Sequence, residues 1–140
     1  MSDAHDIYAS WLSFAALTGL VEGTQEYKEQ KKEYIAERVL RGFRQHFGDD
    51  VDSLEAWRAI CRTTGVKKVS RLTSVAKCKK ALRSRHCNII DLVSAANAGL
   101  TVETFRTKAE LSDYIIETEK YFSREAAKGV PLLEEFLIHV

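Results

Sequence analysis

Apolar residues return every third or fourth position through almost the whole chain, and no segment alternates as a half-buried strand would. That period commits the backbone to helices, each of which must bury one stripe against its neighbours. The clearest stripe is Ile35, Ala36, Val39, Leu40, Phe43 and Phe47, in the second half of a long helix over about residues 24–47 that Gly48 closes. The first half of that helix, EYKEQKKEY, is highly polar and is expected to project into solvent or lie against a partner.

The same reading extends to both ends. A helix over about residues 3–18 puts Ile7, Trp11, Phe14 and Leu17 on one face and stops at Gly19 and Gly23. Asp52 with Glu55 three residues on reads as a capping-box start for a helix carrying Leu54, Trp57, Ile60 and Cys61, ended by Gly65. The linker VKKVSRL leads to a helix capped by Thr73 or Ser74 and running to about Arg85. Asn88 caps NIIDLVSAANAG, which Gly99 closes. Thr107 and Glu110 form a second capping box for a helix to about Lys128, with Leu111, Tyr114, Ile115, Thr118 and Phe122 inward. Gly129 ends it, and Pro131 opens a last helix with Leu132, Leu133, Phe136, Leu137 and Val140 on one face.

The fold class expected is therefore all-α: one domain over residues 1–140, a compact bundle of six or seven helices. A single proline leaves no Pro/Gly-rich linker to divide it, and a chain of this length buries a core without disulfides or metal. Residues 1–20 are the ambiguous part, a helix that either packs on the body of the domain or detaches to form an interface. Its face of Ile7, Trp11, Phe14 and Leu17 would suit a protein partner or a homodimer, because large apolar patches are seldom left bare. Asp3 and Asp6 stand where a secretory leader wants positive charge, and Ile7 to Val21 is too short and too dotted with Ser and Thr to span a bilayer.

Charge is distributed unevenly. The formal net charge is +1, yet residues 56–90 hold ten of the 21 Lys and Arg and none of the 20 Asp and Glu. On a helical wheel Val75, Cys78, Ala81 and Leu82 form the apolar sector, and Lys77, Lys79, Lys80 and Arg83 are read as the opposite one. Lys67, Lys68 and Arg71 extend the patch. Three readings compete: a solvated face balanced by the acidic remainder of the chain, a docking face for an acidic protein, or a phosphate-binding face over residues 62–86 for nucleic acid or an anionic ligand. No aromatic residue lies between Trp57 and Phe105 to stack on bases, and no zinc-finger or RNP pattern is present.

Signatures of catalysis are missing. The chain has no GxxxxGK[ST], no GxGxxG after a strand and no GxSxG. Cys61, Cys78, Cys87 and His86 offer four soft ligands, but their spacing matches no compact zinc pattern. Three widely spaced cysteines do not make a disulfide framework and read as reduced thiols, which places the protein inside the cell, in cytoplasm or nucleus. No catalytic residue, cofactor or metal is expected, and the function expected is a non-catalytic adaptor or regulatory module that binds another protein or itself.

The motifs SLEAWRAIC, CKKALRSRHCNIIDLV and ELSDYIIETEKYF, in that order, resemble a widespread family of small, uncharacterised fungal proteins over about residues 34–140. The resemblance implies a fungal source and an intracellular, all-helical domain, and it brings no activity. The family's recurrent residues here, among them Trp57, Cys61, Cys78, Asn88, Asp91, Leu92, Tyr121 and Phe122, read as core and capping positions. The middle segment of this chain is more basic than the family pattern.

Overall fold

The structure is a computed structural model and describes residues 5–139, without the side chain of His139. Within them lie seven α-helices: α1 (Ile7–Leu17), α2 (Gln25–Phe47), α3 (Leu54–Thr63), α4 (Val75–Leu82), α5 (Ile89–Ala98), α6 (Lys108–Thr118) and α7 (Pro131–His139). Short 3-10 turns at Val69–Arg71 and Arg124–Ala127 complete them. No strand forms among the described residues; His86 and Phe105 make one isolated antiparallel bridge. The all-α bundle is thus the observed fold. Residues 3 and 4 of the first expected helix, and Val140 of the last, lie outside the described residues.

The long helix α2 is the axis, packing against α1, α3 and α5. Its stripe of Ile35, Val39, Phe43 and Phe47 is buried, with the Phe43 and Phe47 rings edge to face at 5.1 Å. Gly42 lies on the side of α2 that meets α5: a Cβ there would stand 2.4 Å from Val93 Cγ1, so any larger residue forces the valine or the helix to shift. Trp57 of α3, Cys78 and Leu82 of α4, Ile90 and Leu92 of α5, and Leu132, Leu133 and Phe136 of α7 fill the same core.

Local chemistry sets most boundaries. Thr24, Ser74, Asn88 and Thr107 each accept a hydrogen bond from the backbone N–H three residues on, the N-cap geometry. At α3 the cap is Ser53, not Asp52. The Asp52 N–H is drawn back to Asp50 Oδ1, the Ser53 hydroxyl takes the Ala56 N–H at 3.1 Å, and Glu55 turns to Arg58. Helix α4 stops at Leu82, about three residues short of the expected end. Helix α6 stops at Thr118, ten residues early, because Glu119 takes a left-handed conformation (φ 61°). Of its expected inward residues only Leu111 is buried, and Tyr114, Ile115, Thr118 and Phe122 are half-buried.

Helix α1 packs in cis. Ile7, Trp11 and Ala15 are buried against α2 and α5. The Trp11 ring sits 5.2 Å from Tyr27 and 5.4 Å from Tyr34, and its Nε1 donates to the Tyr27 hydroxyl at 3.3 Å. Across the seam Ser10 Oγ and Tyr34 Oη share a hydrogen bond of 2.6 Å. The polar half of α2 therefore projects only on its outer side; its tyrosines seat α1.

Candidate functional site: a lysine-edged groove and a basic face

Seating α1 on the polar half of α2 leaves a groove beside the seam. Tyr27 and Ile35 of α2 form its floor, Tyr8 and Leu12 of α1 one wall, and Tyr121 and Phe122, in the segment after α6, the other. Its volume is about 670 Å³. Leu12 and Tyr121 keep 48% and 58% of their surface exposed, a cost that apolar side chains normally avoid. Lys28, Lys31 and Lys32, at helical spacing i, i+3 and i+4, edge the α2 side. Lys31 is fastened across the seam, donating to Tyr8 Oη at 3.0 Å and to the Glu119 carbonyl at 3.2 Å; Lys28 and Lys32 are exposed. Glu22 and Glu119 also line the groove, so the positive edge belongs to α2 alone.

The Tyr121 wall is held by a polar cluster. Lys120 Nζ lies 3.0 Å from Asp91 Oδ1 and 3.0 Å from Tyr114 Oη, and Tyr114 donates a short hydrogen bond to Asp91 Oδ2. Asn88, already the cap of α5, donates its side-chain N–H to the Lys120 carbonyl at 2.8 Å. Burial opposes the Lys120 charge, but its bonds to Tyr114 and Asp91 outweigh that and hold the ammonium above its ordinary range. Burial and then the Asp91 carboxylate push the Tyr114 phenol up as well. The cluster pins the chain as it leaves α6, and the left-handed Glu119 is the strain this entails, about 1 kcal/mol for a non-glycine residue.

The sequence-predicted sites come apart in the structure. Of the apolar face proposed for an interface, Ile7 and Trp11 are internal and cannot also face a partner, whereas Phe14 is half out and Leu17 is 87% exposed. Of the basic patch, Lys67, Lys68, Arg71, Lys77, Lys80 and Arg83 are exposed. Lys79 is not part of it. Four residues after Val75 it is rotated only about 40° from that apolar position, so it points along the packed side. There its ammonium meets Glu135 at 2.9 Å and stands 5.3 Å from the centre of the Trp57 ring. Arg58 and Arg85 are also tied inward, to the carbonyls of Leu72 and Thr64. Tyr121, read as a core position, is instead the exposed lip of the groove.

The thiols are all buried and unpaired. Cys61 Sγ lies 3.7 Å from the Cys78 carbonyl. Burial, with Cys78 beside it, pushes the Cys61 thiol up to about 12, and burial followed by the nearby Asp91 charge does the same to Cys87. At Cys61 and Cys87 burial thus favours the thiol over the thiolate. Among the described residues no group of three or more His, Cys, Asp or Glu is placed to hold a metal, and no helix is long and apolar enough to cross a membrane.

No family model matches the chain, and no curated protein and no solved structure matches it.

Proposed function

We propose that the protein is a non-catalytic interaction module that docks an acidic, amphipathic helical segment of a partner protein in the groove between α1, α2 and the Tyr121–Phe122 segment. One observation carries the reading: an apolar groove walled by exposed Leu12 and Tyr121 is edged on one side by three lysines in helical register. Helix-in-groove recognition places apolar anchors at i, i+3/i+4 and i+7 into such a floor, and carboxylates on the flank of the same segment would meet Lys28 and Lys32. The α2 edge from Gln25 to Ala36 is about 18 Å long at 1.5 Å per residue, room for about three helical turns. The buried, reduced thiols fit an intracellular setting, in cytoplasm or nucleus. Kinship with the small fungal proteins is part of the same proposal, and residues of its motifs such as Trp57, Cys61, Cys78 and Leu92 serve here as core.

A peptide-display selection tests this. A library of 16-residue helical peptides is selected against the full chain, then re-screened against Leu12→Asp and Lys28→Glu/Lys32→Glu. The proposal expects enrichment of acidic amphipathic peptides that lose at least tenfold in affinity on both variants. Enriched peptides indifferent to both variants would place binding outside the groove, and a salt-resistant homodimer in light scattering that Leu12→Asp dissociates would give the groove to a second copy of the chain.

A further inference from the structure

The ten basic residues between Glu55 and Asp91 divide into two groups with different tasks. Three are internal fasteners: Arg58 is bound to Glu55 and the Leu72 carbonyl, Lys79 to Glu135, and Arg85 to the Thr64 carbonyl. The other seven, Arg62 with the six exposed patch residues, form no ion pair among the described residues; the Lys77 ammonium donates to the Thr73 hydroxyl. Internal neutralisation by the acidic remainder of the chain thus accounts for two residues of the run, Arg58 and Lys79. Outside the run Arg38, Arg41, Lys120 and Lys128 are ion-paired, so what sets the run apart is the absence of any acidic residue within it.

Helix α3, the Val69–Arg71 turn and α4 pack together, so the seven charges sit on one structural unit. Its chemistry is selective. Leu100 is exposed beside Arg62, but the segment from Lys67 to Arg83 contributes no large exposed apolar side chain, and peripheral membrane binding needs buried apolar area besides charge. Protein interfaces place a desolvated apolar core inside a charged rim and are poor in lysine, whereas this face is all rim. With no aromatic residue between Trp57 and Phe105 it also has nothing to stack on an unpaired base. What remains is a dense, regular polyanion bound by its phosphates alone.

We propose that the α3–α4 unit binds double-stranded nucleic acid through its phosphate backbone, without reading the bases. Lys67, Lys68, Arg71, Lys77, Lys80 and Arg83 supply the contacts, and the α2 groove takes no part.

The test is fluorescence anisotropy of the full chain with a labelled 20-base-pair duplex between 50 and 200 mM salt. Engagement of about six phosphates, one for each contacting residue, gives a log–log salt slope near −5.4, a loss of about 1,800-fold over that fourfold range. Two duplexes of unrelated sequence should bind within threefold of each other. Lys67→Glu/Lys80→Glu should weaken binding at least tenfold and flatten the slope by about 2, while Lys28→Glu/Lys32→Glu should leave both unchanged. Circular dichroism confirms that each variant is folded. Four results would each overturn the proposal: no binding at 50 mM salt, a Lys67→Glu/Lys80→Glu variant that binds like the parent, displacement of the duplex by poly-L-glutamate at equal charge concentration, or tighter binding to vesicles of 30% phosphatidylserine in phosphatidylcholine than to the duplex.

Discussion

Replacing Trp11 by alanine asks whether α1 belongs to the core. The indole is fully buried, packs on Tyr27, Tyr34 and Phe14, and donates to the Tyr27 hydroxyl. Buried Trp→Ala changes cost about 3–5 kcal/mol, and loss of several aromatic contacts puts this one in the upper half of that range. Unfolding entropy of about 2.1 cal/mol/K per residue makes 4–5 kcal/mol equivalent to a fall in Tm of about 15 °C for a chain of this length. Helical circular dichroism during a thermal scan, with urea titration for the free energy, measures it. Leu17→Ala on the same helix is the control and should cost under about 0.5 kcal/mol, since Leu17 is exposed. A Trp11→Ala loss below about 1 kcal/mol, or one equal to that of Leu17→Ala, would refute the packing of α1 in cis and return it to the role of a detachable arm.

Other expectations follow from the same contacts. Gly42→Ala should destabilise by about 1–3 kcal/mol despite the gain of about 1 kcal/mol in helix propensity, and Val93→Ala in the same chain should restore part of the loss in a double-mutant cycle. Lys120 and Tyr114 both have folded pKa values above their ordinary ones. Their contribution is complete below about pH 10 and declines as pH rises through the folded values, so stability should fall on the alkaline side; Asp91→Asn should lower stability at neutral pH and flatten that decline. Native Cys61 and Cys87, both buried and with thiols held near 12, should react with a disulfide reagent only at the rate of unfolding; fast labelling in the folded protein would contradict their burial.

Much of the bundle was legible because its signals are local. Apolar period located the helices, and short polar side chains marked the caps at Asn88, Thr107 and Ser74, the last with Thr73 as the alternative; the Thr24 cap went unread. Failures arose where distant groups decide. Nothing in ETEKYF breaks a helix; α6 ends there because Asp91 and Asn88, roughly thirty residues earlier, capture Lys120. The cap of α3 is a local exception: Ser53 rather than Asp52 accepts the Ala56 N–H, and Asp50 holds the Asp52 N–H two residues on. The groove was invisible because its second wall, Tyr121 and Phe122, comes from a segment far along the chain from α1 and α2. One signal was present: Tyr27 and Tyr34, at i and i+7 within the polar half of α2, run into Ile35 at i+8, a narrow apolar stripe awaiting a cover. The basic run was legible as charge, but its division into three fasteners and seven free cations required the fold.

The most direct test of the docking groove is a two-dimensional amide NMR titration of the isotope-labelled chain with an acidic amphipathic peptide from the display selection. The account predicts shifts concentrated at Tyr8, Leu12, Lys28, Lys32, Tyr121 and Phe122, with Lys67 to Arg83 unmoved. Shifts confined to the α3–α4 face, or spread evenly over the charged surface, would contradict it.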